Sequence, residues 1–406
     1  MDGGGLNASL STTDYFGRAV AGLGDLDGDG IPDMVVGAPL DDDGGTGRGG
    51  AVYVLFMNAD STVKAEQKIS SSSLVAALDD LDRFGISVAG LGDLDGDGLP
   101  DMAVGAYHDD DGGVDRGAVY VLFLNADGTV KALQKISSST LTAALSDGDS
   151  FGISVAGLGD LDGDGLPDMA VGAHHDDMFG GSHCGVVHVL LMHANGTVKA
   201  DQKISNGQGG LATPLAIGDM FGESVAGLGD VDGDGHVDMA VGASYDDEGG
   251  VDRGAVHVLF MNANGTVKAA QKIGSSTFTA ALDDGDRFGI SVAGLGDVDG
   301  DGLPDLAVGA HKDDDGGVDR GAVRILFMNA DGTVKAEQKL SSTRKVVGLE
   351  LARAHLLCGR RSLLTFKGAL SDAPRGFAPR RCRGRSNRSA RRLRLVRRLG
   401  RRPGPP

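Results

Sequence analysis

Hydrophobic positions in this chain of 406 residues fall in short runs separated by glycine- and aspartate-rich stretches. Residues 118–123 form a continuous apolar run with β-branched and aromatic side chains, which is typical of a strand buried on both faces. Residues 129–137 alternate instead, with valine and isoleucine on one face and two lysines on the other, which predicts a half-exposed outer strand. Between them, Asn-Ala-Asp-Gly at 125–128 predicts a hairpin turn.

The same series of segments recurs along the chain. The dipeptide Phe-Gly marks each copy at intervals of 68, 67, 70 and 67 residues, and it begins at Phe16, Phe84, Phe151, Phe221 and Phe288. After each Phe-Gly come a short apolar segment, an aspartate-rich loop, two apolar runs and the alternating segment. Each unit therefore predicts four antiparallel strands, two of them buried and the last amphipathic.

Two all-β architectures can be built from such units. Four-stranded sheets repeated radially make a β-propeller, which is the favoured fold for residues 1–343. An open β-solenoid is the alternative. The unit is longer than a WD40 or kelch repeat, and no pattern of period nine indicates a calcium-binding β-helix.

The strongest chemical signal is a loop of nine residues, Asp-x-Asp-Gly-Asp-Gly-x-x-Asp, that occurs once in each unit. The carboxylates at positions 1, 3, 5 and 9 and the carbonyl at position 7 form the predicted ligand set. These residues are Asp25, Asp27, Asp29, Ile31 and Asp33; Asp93, Asp95, Asp97, Leu99 and Asp101; Asp160, Asp162, Asp164, Leu166 and Asp168; Asp230, Asp232, Asp234, His236 and Asp238; and Asp297, Asp299, Asp301, Leu303 and Asp305. Several carboxylates with oxygen-only ligands favour Ca²⁺.

An EF-hand is excluded, because position 12 of each loop is a valine inside a predicted strand instead of a bidentate glutamate. Asp-Gly runs also make ordinary turns without a metal. Such turns do not require aspartate at four fixed positions in all five copies. The sequence therefore predicts about five Ca²⁺ sites that stabilise the fold.

Charge is divided unevenly along the chain. Residues 1–343 carry a formal charge of −36 and residues 344–406 carry +17. The acidic part is a poor candidate for nucleic-acid binding. The basic part departs from the repeat and predicts a disordered tail, interpreted either as a frameshift product or as a basic arm.

Other classes of signal are weak. No run of 18 apolar residues predicts a transmembrane helix, and the N-terminus lacks the features of a signal peptide, so we expect it to be incomplete. His174, His175, His183 and Cys184 flank one loop and could hold Zn²⁺, although sequence drift is the favoured explanation. Asn195 and Asn264 begin glycosylation sequons.

The motifs of the second unit carry a family resemblance. Phe84-Gly85, the loop at 93–101 and Gly105-Ala106 together resemble the FG-GAP repeats of integrin α subunits, over about residues 10–343. The resemblance implies a propeller with calcium in hairpin loops. It also implies a ring of seven blades, so five repeats predict an incomplete one.

The resemblance implies an extracellular or cell-surface role in adhesion or recognition, with an unidentified protein or glycan as the partner. The alternative is a non-catalytic accessory domain, or a purely structural domain, of a larger secreted protein that could be hydrolytic. No catalytic motif is present, so we expect no enzyme activity. The oligomeric state is left open.

Overall fold

The structure is a computed structural model, and it describes residues 10–11, 13–42, 49–74, 78–176, 183–278 and 281–342. The described residues form five sheets of four strands each. They contain no α-helix, and one short 3-10 turn spans Ser275–Thr277. The basic segment predicted to be a disordered tail lies outside the described residues.

Each sheet is one repeat. The first blade comprises β1 (Ala19–Gly24), β2 (Asp33–Ala38), β3 (Ala51–Met57) and β4 (Val63–Ser70). The second comprises β5 (Ser87–Gly92), β6 (Asp101–Ala106), β7 (Ala118–Leu124) and β8 (Val130–Ile136). The third comprises β9 (Ser154–Gly159), β10 (Asp168–Ala173), β11 (Val186–Met192) and β12 (Val198–Ile204). The fourth comprises β13 (Ser224–Gly229), β14 (Asp238–Ala243), β15 (Ala255–Met261) and β16 (Val267–Ile273). The fifth comprises β17 (Phe288–Gly296), β18 (Asp305–Ala310), β19 (Ala322–Met328) and β20 (Val334–Leu340).

Within a blade the strands follow chain order and pair antiparallel. The second and third strands are almost wholly buried, as their continuous apolar runs predict, and the fourth is partly exposed. The first strand of the three middle blades is also largely buried, because neighbouring blades cover it. The β-propeller of four-stranded antiparallel blades is therefore confirmed.

Successive blades are joined by the Phe-Gly dipeptide. Phe151 is fully buried, and its backbone forms a parallel bridge with Gly117 of the preceding blade. The hydroxyl of Ser87 donates a hydrogen bond of 2.8 Å to the carbonyl of Gly152. A Cβ on Gly105 would lie 2.0 Å from the same carbonyl oxygen, so this strand position requires glycine.

The first and last blades each leave one side of this junction uncovered. Ser291, in the fifth blade, is exposed, whereas its counterparts in the middle blades are buried. Val20 of the first blade is 55% exposed. The inner strands of all five blades nevertheless line one cavity of about 250 Å³, with Arg18 and Glu223 among its lining residues.

Candidate cation-binding loops

Each aspartate-rich loop connects the first and second strands of its blade. The register of the strand pair shifts between Gly90 and Gly92, so a β-bulge opens the second loop, and the other first hairpins show a corresponding shift. Because the blades share one topology, all five loops lie at the same end of their first strands. The fold thus repeats one local structure five times.

The loop places three carboxylates together in every blade. In each set the candidate ligand atoms lie within 4.8 Å of one another. The first, fourth and fifth blades bring together positions 1, 3 and 5, whereas the second and third bring together positions 1, 3 and 9. The sets are Asp25, Asp27 and Asp29; Asp93, Asp95 and Asp101; Asp160, Asp162 and Asp168; Asp230, Asp232 and Asp234; and Asp297, Asp299 and Asp301.

The aspartate at position 1 shapes the loop. In the second blade, Asp93 accepts hydrogen bonds of 2.8 Å from the backbone amides of Gly96 and Gly98. Both glycines have a positive φ, +79° and +89°, which other residues adopt only with strain. The alternation of aspartate and glycine is therefore required by the backbone as well as suited to a cation.

The aspartate at position 9 has a different environment. Asp101 is fully buried, and it accepts hydrogen bonds from the amides of Leu94, at 3.0 Å, and Leu124, at 3.1 Å. It joins the loop to the end of the third strand, and its equivalents do the same in the other blades. Burial raises the pKa of Asp101 to about 6.

A lysine that the sequence analysis did not select completes each loop. Lys131, the second residue of β8, lies with its Nζ 2.7 Å from Asp95 and also in contact with Asp97. The hydrogen bond that Lys131 donates to Asp95, followed by the one that it donates to Asp97, raises the pKa of Lys131. The same pairing recurs at Lys64, Lys199, Lys268 and Lys335. The sequence feature that could have identified this lysine is the recurrent Thr-Val-Lys sequence. Strand alternation alone indicated only that the lysine faces solvent.

The donor set fits a hard divalent cation. The loop offers carboxylate oxygens, and positions 1, 3 and 5 remain partly exposed, so water can complete a shell of six to eight ligands. A single lysine balances several carboxylates, which leaves the loop net negative. Ligation by the 25 residues named above, including the carbonyl at position 7, remains a prediction.

A second acidic group lies at the other end of the fourth strand. Asp109 accepts hydrogen bonds from Tyr120 and Lys135, both at 2.8 Å, and is only 2% exposed. Asp82 is also buried beside it, and burial raises its pKa to about 7. Strand pairing brings Lys135 and Tyr120 to Asp109, so this aspartate is a buried part of the blade.

The described histidines of the third blade form no comparable site. The rings of His174 and His175 lie 3.8 Å apart and those of His175 and His183 lie 5.0 Å apart. Burial lowers the pKa of His174 to about 3. Among the residues that the structure describes, only the five aspartate loops bring three potential metal ligands together.

Comparison with known proteins identifies the repeat. The FG-GAP repeat family matches residues 16–55, 221–259 and 288–326, and the FG-GAP-like repeat family matches residues 93–171. These matches include both the Phe-Gly dipeptide and the aspartate loop of four units, and the aspartate loop alone of the second unit.

Integrin α subunits are among the relatives. Integrin alpha-PS2 of Drosophila melanogaster is 35% identical over 169 residues, 40% of this chain and 12% of that protein. Human integrin alpha-7 is 38% identical over 40% of this chain and 12% of its own length. Human integrin alpha-IIb is 34% identical over 47% of this chain and 17% of its own length. The match thus spans less than a fifth of each integrin.

Among solved structures, a thermostable family-43 glycoside hydrolase aligns over 79% of this chain and 93% of its own, with 14% identity and a TM-score of 0.42. That likeness is too weak to bear on function.

No helix among the described residues is long and apolar enough to cross a membrane. The repeat matches and the fold lead to one conclusion: the chain is an FG-GAP repeat β-propeller that is similar to integrin α subunits.

Proposed function

We propose that this propeller is a calcium-binding module, with one Ca²⁺ in each of its five aspartate loops. The observation that supports this most strongly is the convergence of three carboxylates in every blade. Carboxylates held this closely repel one another, and a divalent cation relieves that repulsion. The lysine of each loop neutralises only part of the charge.

Calcium acts on stability in this proposal. A ligand that binds only the folded state stabilises it, by about 2.7 kcal/mol per site when its free concentration is 100-fold above Kd. The loop joins the first two strands, and position 9 extends the connection to the third. An ion in the loop would therefore hold together three of the four strands in a blade.

The similarity to integrin α subunits supports an extracellular or cell-surface role in adhesion or recognition, with a protein or glycan as partner. We propose that the propeller has no enzymatic activity. The alternative is an accessory or structural propeller within a larger secreted protein. The near-identity of the blades favours this alternative mildly, because a specific binding face usually requires blades to differ.

The first experiment is thermal unfolding of the chain in calcium and in chelator, together with the calcium stoichiometry. We expect about five bound ions and a clearly higher Tm in calcium. A chain that binds no calcium and has the same Tm in both buffers would show that the aspartates only shape turns.

A second experiment separates recognition from a purely structural role. The calcium-loaded chain is screened against extracellular-matrix proteins and a glycan array, with chelator-treated chain as the control. Saturable binding that disappears in chelator supports recognition. Absence of binding by chain shown to be folded and calcium-loaded supports the structural alternative.

A further inference from the structure

The lysine that enters each aspartate loop contacts the carboxylates that a cation would need. Lys199 shows the geometry, with its Nζ 2.6 Å from an oxygen of Asp162 and 2.6 Å from an oxygen of Asp164. These are positions 3 and 5 of the third loop. In the first, fourth and fifth blades, both carboxylates that hold the lysine belong to the converging set of three.

Lysine and calcium cannot use these oxygens together without a large repulsion. An ammonium that donates to two oxygens lies within a few ångströms of any cation coordinated by the same pair, and like charges at that distance repel strongly. The lysine side chains are 27–35% exposed. Each has a flexible stem, so its charged end can move into water.

The remainder of the fourth strand shows that this arrangement is specific to the loop. A second lysine lies four residues further on, for example Lys135 after Lys131. Lys135 pairs with the buried Asp109, outside the aspartate loop. One strand thus carries two lysines with the same charge, and only the first contacts the predicted calcium ligands.

We propose that Lys64, Lys131, Lys199, Lys268 and Lys335 are displaceable counter-ions of the five loops. Each ammonium holds the carboxylates of positions 3 and 5 together in metal-free protein and leaves when a divalent cation binds. This inference rests on the proposed calcium function. It assigns the lysines two effects: they stabilise the metal-free propeller and they weaken its affinity for calcium.

The test is calcium titration calorimetry on four forms of the full chain. They are the wild type, a variant with all five loop lysines changed to Met, a variant with the same five changed to Arg, and a charge-matched control. The control carries K68M, K135M, K203M, K272M and K339M. The Met variant keeps the apolar stem and loses the charge, whereas the Arg variant keeps the charge.

We expect the loop-Met variant to bind calcium about tenfold more tightly than the wild type, since two charge-assisted hydrogen bonds no longer compete at each site. We also expect its Tm in chelator to fall. The Arg variant and the charge-matched control should keep Kd within about twofold of the wild type. If the control does not fold, the comparison of the Met variant with the Arg variant still separates the effect of the lysine charge from the effect of its apolar stem.

The outcomes distinguish this inference from the proposed function. Five ions bound to the wild type with an unchanged Kd in the loop-Met variant would overturn displacement and leave the calcium function intact. An equal gain in the charge-matched control would also overturn displacement, because net charge would then explain it. If the loop-Met variant binds calcium and the wild type does not, competition by the lysines is supported and the proposed calcium function of the native chain is wrong. No binding by either, up to about 10 mM calcium, would overturn both.

Discussion

At the scale of single residues, aspartates of one loop have different roles. Asp93 at position 1 is exposed and bonds to backbone amides of its own loop. Asp101 at position 9 is fully buried and bonds to amides on two separate segments, at Leu94 and Leu124. A buried amide left without an acceptor is costly, so position 9 should matter even in the absence of a metal.

This difference gives a test of position 9 in chelator. Asp101→Ala should lower the free energy of unfolding by about 2–5 kcal/mol, because two buried amides lose their acceptor. Asp93→Ala is the matched control, and its effect should be within about 1 kcal/mol because water replaces the lost bonds. Urea denaturation measures both. Equal losses would show that position 9 has no special structural role.

At the scale of elements, contact between blades depends on backbone approach. Gly242, on the second strand of the fourth blade, would place a Cβ 1.9 Å from the carbonyl oxygen of Gly289 in the next blade. Ser224 donates a hydrogen bond of 2.8 Å to the same carbonyl. Gly309 is the equivalent glycine of the last blade, and there the three atoms nearest to a Cβ belong to Ser291 and Ile290 of the same blade.

Two identical substitutions therefore have different predicted effects. Gly242→Ala should lower the free energy of unfolding by about 1–3 kcal/mol, because the methyl group forces neighbouring blades apart. Gly309→Ala should have a much smaller effect, because the Ser291 hydroxyl can rotate away. Chemical denaturation of both variants compares the two sites. A similar loss at Gly309 would show that another part of the chain covers the last blade in solution.

At the scale of the whole molecule, the propeller combines a large negative charge with buried carboxyl groups. Burial raises the pKa of Asp82 to about 7 and those of Asp149 and Asp219 to about 6, at one equivalent position in three blades. In an unfolded chain these groups have a pKa near 3.9. Folding therefore favours their protonated forms.

The pH dependence follows from that difference. Below about pH 4 these groups are protonated in both states. As pH rises from about 4 to about 6–7, these groups are ionised in the unfolded state and still largely protonated in the folded state, so the free energy of unfolding falls. Above about pH 7 this loss in the free energy of unfolding no longer changes with pH. His174 and His257, whose pKa burial lowers to about 3, act in the opposite direction, so a variant must be compared with the wild type.

The comparison uses the triple variant Asp82→Asn, Asp149→Asn and Asp219→Asn in chelator. Asparagine keeps an acceptor for the backbone amide that each aspartate bonds, such as that of Asp79, and cannot ionise. We expect the variant to lose less stability than the wild type between pH 4 and pH 7, as measured by urea unfolding at each pH. Parallel curves would contradict the assignment of this slope to the three aspartates.

Features that depend on neighbouring residues could be predicted from the sequence. Strand character follows from apolar runs and alternation, and loop shape follows from aspartate and glycine at fixed spacing, as at Asp93, Gly96 and Gly98. Repetition then gave the number of sheets, because each unit contains a complete set of four strands. The candidate ligands could be named for the same reason.

Tertiary structure alone decided which distant groups meet. Lys131 reaches Asp97 across 34 residues of sequence, and alternation could only mark it as facing outward. Phe16 and Phe151 begin identical dipeptides, yet Phe16 is partly exposed and Phe151 is fully buried. Burial of a repeated motif depends on the blade packed beside it, and that neighbour is set by the order of blades in space.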